Sequence, residues 1–288
     1  MSGYEAACGL LPESIRAAVR QLPGETARSA CEFRLRLGRR PSVTMPEGER
    51  DIPGTDRVGT RDLARVLEIA TQASPYSAAA AISQGYVSAP GGVRVGLCGR
   101  MRRGAESAWT HAGLTSVAIR IPREVKGCGE AFCARPFHST LIFSPPGAGK
   151  TTLLRDMVRL LSDGGERVSL CDERGEVAAI SETGFGFDVG GRTDVLSDRP
   201  RHEAALQLLR TMNPQILAMD EITDPEDAAA CRSAAGCGVA LLVTAHGDSL
   251  AELREKPVFR QLFEEGVFSR AIGIRMGPRG REYREAAL

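Results

Sequence analysis

Twelve residues, Leu141 to Thr152, read LIFSPPGAGKTT and leave few folds open to this chain. The apolar run Leu141-Ile142-Phe143 runs into a Pro/Gly loop. Gly149-Lys150-Thr151 then opens a helical pattern through Leu153, Leu154, Met157, Val158 and Leu161. Strand, loop and helix in that order form a cradle for phosphate. Gly147 and Gly149 let successive backbone N–H groups turn toward an anion, and the helix N-terminus adds its dipole. Pro145, Pro146, Gly147, Ala148, Gly149, Lys150, Thr151 and Thr152 are thus expected to line a nucleotide's phosphates, with Lys150 on the β- and γ-phosphates and the Thr151 hydroxyl on Mg²⁺. The usual pattern has glycine six positions before the lysine. Serine stands there instead, as Ser144, and its small side chain is expected to be tolerated.

After this loop, apolar runs and helical patterns alternate, which predicts βαβ units and a mostly parallel sheet. Strands are expected over 167–171, 215–219, 239–244 and 266–276, with helices over 201–212, 225–235 and from Ser249 onward. Ile216-Leu217-Ala218-Met219 ends in Asp220-Glu221. In an open parallel sheet, ligands sit at the carboxyl ends of strands, so these two acids fall at the phosphate edge. Asp220 is expected to hold Mg²⁺ and Glu221 to polarise an attacking water. Asp172-Glu173 ends the strand before, and both are assigned to metal or water positioning. His246, after the strand ending at Thr244, is placed to sense the γ-phosphate. GFDVGGRTDVLSDRP and the residue after it carry Arg192, Arg199 and Arg201 in a flexible, glycine-rich setting suited to an arginine finger across a subunit boundary. Arg192 is the first choice. Arg120 is a more remote candidate.

Residues 1–124 read as a smaller α+β domain, and 125–288 as the phosphate-loop domain. Helices are expected over 11–21, over 61–72 with Thr60 as N-cap, and over 77–82. The run EFRLRLGRRP alternates Phe33, Leu35 and Leu37 with Arg34 and Arg36, the pattern of a half-buried strand with a wet arginine face. Tyr86–Val87 and Val93–Leu97 flank APGG as a hairpin, 117–121 is a strand, and 45–59 and 100–113 read as irregular. Lys+Arg total 37 and Asp+Glu 36, a balance unlike that of a strongly basic nucleic-acid binder. No stretch approaches the ~20 apolar residues of a membrane span. No secretory signal is read at the N-terminus, and a cytoplasmic location is expected. The eight cysteines form no CxxC pair, so reduced thiols rather than a zinc site are expected.

The motifs EFRLRLGRRP, GYVSAPGGVRVGLCGR, VAIRIPREVKGC, TTLLRD after the loop, CDERGEVA, DVGGRTDVL, LLRTMNPQILAMDEI and VTAHG together resemble the stage III sporulation protein AA family. That family is related to the RecA-like traffic ATPases of type II and type IV secretion and type IV pili. The resemblance implies a RecA-like α/β fold with a parallel-rich sheet. It places Lys150, Thr151, Asp172, Glu173, Asp220, Glu221 and His246 around ATP and Mg²⁺. It further implies a homo-oligomeric, hexameric ring docked through partners on a membrane channel complex in the mother cell of a spore-former. Two other functions fit the same residues: a RecA-type nucleic-acid motor using Arg34, Arg36, Arg39 and Arg40, and a nucleotide-dependent scaffold with little turnover.

Overall fold

The computed structural model describes residues 3–72, 85–103, 109–181, 184–277 and 280–288. The helix expected over 77–82 lies outside them. The chain divides into two compact units, Met1–Glu124 with Ala179–Gly186, and Val125–Ala178 with Phe187–Leu288. The short excursion 179–186, read from the sequence as part of the second domain, makes its contacts with the first.

The first unit is an antiparallel sheet with helices over it. Helices α1 (Gly3–Gly9), α2 (Glu13–Val19), α3 (Gly24–Ser29) and α4 (Thr60–Ala70) accompany strands β1 (Glu32–Arg36), β2 (Ser42–Met45), β3 (Gly48–Asp51), β4 (Tyr86–Ala89), β5 (Val93–Arg103) and β6 (Trp109–Arg120). The sheet order is β3-β2-β1-β6-β5-β4. Phe33 and Leu35 of β1 are fully buried with Leu63 and Val66 of α4 and Ile119 of β6, as the alternating pattern requires. The arginine face is largely neutralised in place: Arg34 pairs with Glu32, and Arg36 with Glu49 of β3. Strands β9 (Ile180–Ser181) and β10 (Gly184–Phe185) form a two-stranded ladder in the excursion.

Three local expectations differ here. The 45–59 region holds β3, an edge strand exposed throughout. The 100–113 region is the far end of the β5/β6 pair, where register shifts at Cys98/Gly99 and Arg100/Met101 break the period-2 pattern that would have marked it. Gly59, not Thr60, caps α4, with its N–H donating to Asp62 at 2.7 Å.

The second unit is a seven-stranded sheet covered on both faces. It contains β7 (Thr140–Ser144), α5 (Lys150–Asp163), β8 (Val168–Asp172), β11 (Thr193–Ser197), α6 (Arg201–Thr211), β12 (Ile216–Met219), α7 (Pro225–Gly236), β13 (Ala240–His246), α8 (Leu250–Glu255), α9 (Pro257–Glu264), β14 (Arg270–Gly277) and β15 (Gly280–Ala287). The order β11-β8-β12-β13-β7-β14-β15 is parallel except for the final hairpin strand β15. Strand residues alternate between two cores. Ile142, Leu170, Ala218 and Leu242 meet Leu153, Leu154, Met157 and Leu161 of α5 on one face. Leu141, Cys171, Leu217 and Val243 meet Ala204, Cys231, Leu253 and Leu262 of α6 to α9 on the other. Each fully buried Leu contributes about 2 kcal/mol of transfer free energy, so the central strands are held against both helix layers. The 193–197 segment, expected to be flexible, is instead the sheet's edge strand β11.

Candidate functional site

Parallel topology brings the carboxyl ends of β7, β13, β12 and β8 to one edge, and the chemistry-bearing residues collect there. Ser144 is the last residue of β7, paired in register with His246 of β13. The loop that follows turns at Gly147 (φ 76°) and Gly149 (φ 106°), conformations only glycine adopts cheaply. Gly149 stands at the N-terminus of α5. Strand, glycine-bearing loop and helix thus follow one another in the order read from the sequence. Serine at 144 is accommodated: it is buried, its hydroxyl donates to the Pro145 carbonyl at 2.7 Å, and its carbonyl accepts from Lys150 Nζ at 3.3 Å.

Lys150 is 6 % exposed. Burial lowers its pKa, against the raising influence of Asp220 and Glu221. Its Nζ lies 2.8 Å from His246 Nδ1. An ammonium has donors only, so Nδ1 accepts and the imidazole proton sits on Nε2. That nitrogen is 2.5 Å from Glu221 Oε1. Lys150, His246 and Glu221 thus form a continuous relay, and Arg174 donates to the other Glu221 oxygen at 3.0 Å.

Asp220 is held by two hydroxyls. Thr151 Oγ1 donates to one carboxylate oxygen at 2.9 Å and Thr244 Oγ1 to the other at 2.6 Å. Burial pushes the Asp220 carboxyl upward in pKa, and these two hydrogen bonds oppose the rise. Glu221 follows in the left-handed region at φ 57°, with its N–H donating to Thr244 Oγ1 at 2.7 Å. A non-glycine residue there costs of order 1–3 kcal/mol, the kind of strain retained where a side chain must point one way. Thr244 therefore fixes both acids.

The hard oxygens of Thr151 and Asp220 stand side by side beside the phosphate loop, which suits Mg²⁺: this ion takes one or two protein oxygens and fills its remaining positions with phosphate and water. Among the described residues no group of three or more His, Cys, Asp or Glu is arranged to hold a metal.

Two expected residues are placed differently. Asp172 lies at the correct edge, but its carboxylate accepts the backbone N–H groups of Glu176, Val177 and Ala178 at 2.8–3.2 Å. Its oxygens organise the loop after β8 rather than face a metal. Arg192 precedes β11, at the amino edge opposite the phosphate loop, and its guanidinium donates to the Gly165 carbonyl at 2.9 Å. Glu173 is at the site, paired with Arg201 at 3.3 Å.

Sequence reading undervalued Arg201. This buried guanidinium contacts Glu173 and Asp227, both at 3.3 Å, and donates to the Asp220 carbonyl and the Thr223 hydroxyl at 3.3 Å. It ties the tips of β8 and β12 to the first turn of α7. Only its opening position on a helix hinted at such a role. Thr244, inside VTAHG, was visible only as a strand residue.

Residues 5–281 match the family described as sporulation stage III, protein AA. The stage III sporulation protein AA of Bacillus subtilis is 33 % identical over 277 residues, covering 92 % of this chain and 89 % of that protein. Among solved structures, the pilus retraction motor PilT with bound ADP superposes with a TM-score of 0.65 at 14 % identity, over 92 % of this chain and 80 % of PilT. The Legionella pneumophila ATPase DotB gives 0.59 at 15 %, over 90 % and 76 %. The fold, RecA-like α/β with a parallel-rich sheet, is the one shared with these two proteins. The chain belongs to the sporulation stage III protein AA family.

Proposed function

We propose that this protein is a Mg²⁺-dependent ATPase that works as a homo-oligomeric ring of six copies, docked through partner proteins on a membrane channel complex between mother cell and forespore. The observation that carries the catalytic part is the closed set of contacts Thr151–Asp220–Thr244–Glu221–His246–Lys150 at one sheet edge. It brings a lysine, an imidazole, two hydroxyls and two carboxylates to the mouth of the phosphate loop.

In this reading the N–H groups of residues 147–151 and Lys150 bind the triphosphate. Thr151 and Asp220 would hold Mg²⁺, which would supply charge neutralisation for the bound phosphates. Glu221 orients the attacking water and takes up its proton. A carboxylate has about four lone-pair sites, so Glu221 accepts from water while still bound to His246 and Arg174. His246 holds Glu221 in place and faces Lys150, so it senses the γ-phosphate that Lys150 grips. The neighbour's arginine acting on the transition state is taken to be Arg192, exposed at the other edge of the sheet.

The membrane role is a reading from family membership and from the likeness to DotB and PilT. No described helix is long and apolar enough to cross a membrane, so attachment would run through partners. Phosphate release and particle size, measured with and without Mg-ATP on wild type and Lys150→Ala, test the proposal. Lysine-dependent turnover with a nucleotide-dependent ring supports it. Absence of saturable ATP binding at millimolar ligand overturns it.

The scaffold alternative retains one favourable observation: Glu221 is held by both His246 and Arg174. Full function of a Glu221→Gln variant in sporulating cells would select it over the motor.

A further inference from the structure

The phosphate loop has a second flank, away from the acids. There β14 runs parallel to β7 and turns back as β15, pairing Met276 with Arg281 and Gly277 with Gly280. The paired ends of β14 and β15 therefore fall at the same carboxyl edge as the loop, and Arg281 lies beside Gly280 at the start of β15. Alternation along a strand puts Arg281 and Tyr283 on one face. Tyr283 is anchored there, packed with the core under α5 and against Phe132 at a ring separation of 5.6 Å. Arg281 is thus directed over the start of α5. A methyl group built on Gly149 would come within 2.6 Å of Arg281 Nε and 2.7 Å of its Cζ. The guanidinium lies against the loop itself, is exposed, and makes no ion pair or side-chain hydrogen bond with any described residue.

A planar cation set beside an anion cradle, with no carboxylate partner among the described residues, suits recognition of phosphate. We infer that Arg281 is a nucleotide-binding residue that donates to the phosphate chain from the β15 side of the loop, opposite Lys150, Thr151 and Asp220. The inference rests on the nucleotide reading above and adds a residue that no local motif marks. Because Arg281 stands on the far side of the loop from Glu221 and His246, its contribution falls on affinity rather than on turnover at saturation.

Calorimetric titration of the full chain with Mg-ATP and, separately, with Mg-tripolyphosphate tests it at fixed ionic strength. Arg284→Ala is the control, since Arg284 projects from the opposite face of the same strand. The expected result is that Arg281→Ala weakens both ligands about tenfold, the scale of a lost charge-assisted hydrogen bond. Arg281→Lys should fall between, and Arg284→Ala should match wild type. Arg281→Gln keeps most of the side-chain length and repeats the measurement if the alanine variant is unstable. Affinity unchanged within about twofold for both ligands overturns the inference. So does weakening confined to Mg-ATP, which would assign the contact to the nucleoside. If wild type binds neither ligand, the nucleotide reading fails and the inference with it. If wild type binds and Arg281→Ala binds equally well, only the inference fails.

Discussion

Thr151 Oγ1 and the Asp220 carboxylate meet at 2.9 Å although 69 positions separate them in the chain. The bond joins the first turn of α5 to the tip of β12, across the intervening strand β13, which supplies Thr244 to the same carboxylate. The two side chains proposed to hold Mg²⁺ are thereby brought together by the protein's own hydrogen bonds. Thr151→Ala should lower Mg-dependent phosphate release at least about a hundredfold, the scale of a lost preorganised catalytic contact. Nucleotide binding without Mg²⁺ should change little. A colorimetric phosphate assay combined with titrations with and without the metal checks both.

Under the proposed function, the Lys150–His246–Glu221 relay separates binding from chemistry. Glu221→Gln should retain ATP binding while turnover falls by about 10²–10⁴, the range of a lost general base. His246→Ala should also keep binding but leave Glu221 unpositioned, lowering kcat more than it raises KM. A steady-state comparison in which His246→Ala alters only KM would contradict the relay.

Asp220 makes stability and function oppose each other. Its folded pKa is raised above the ordinary 3.8 by burial, so folding is favoured by the protonated form. That contribution is fully present below the unfolded value and is lost as pH rises through the folded one. Asp220→Asn should therefore melt a few degrees above wild type at pH 7.5. The gap should close as pH falls toward 4, while Mg-dependent turnover is abolished at every pH. Thermal unfolding at the two pH values checks the sign.

Arg201 is the structural counterpart. Removing a buried cation leaves Asp227, almost fully buried, without its charge partner. Arg201→Ala should cost about 3 kcal/mol in denaturant unfolding, the scale for breaking a buried pair. Double replacement with Asp227→Asn should recover part of that loss, since no unpaired charge then remains.

The ring proposal has its own mixing test. Lys150→Ala and Arg192→Ala chains, each inactive alone, should regain partial turnover when combined, because some interfaces then pair an intact phosphate loop with an intact arginine. No recovery on mixing removes Arg192 as the acting residue.

The phosphate loop, the apolar strands and the acids at their ends were legible because each is a local pattern: a run, a glycine pair, an abrupt change from apolar to charged. Helix α8 was readable for the same reason, from Ser249, whose hydroxyl accepts the Glu252 N–H at 3.2 Å. What escaped depends on distant partners. Short helices α1 and α3 carry too few turns for a periodic signal. Strand β11 looked like a mobile glycine-rich stretch because its pairing with β8 is a property of the sheet. Asp172 read as a metal ligand, since nothing in CDERGEVA shows that its oxygens turn back to the N–H groups of 176–178. Arg201 and Arg281 have no motif at all; only the folded sheet gives them neighbours.

The excursion of residues 179–186 has a practical consequence for anyone dissecting the molecule. The polypeptide passes between the two units at 124/125, 178/179 and 186/187, so neither can be excised as one uninterrupted piece. A fragment ending at Glu124 would forfeit the β9/β10 ladder and uncover the Pro90–Gly92 turn, where Gly186 fits only because it has no side chain. Conversely, a fragment beginning at Val125 would carry that ladder as an orphaned, sticky appendage. Grafting a short glycine bridge from Ala178 to Phe187 is the cut that respects the architecture.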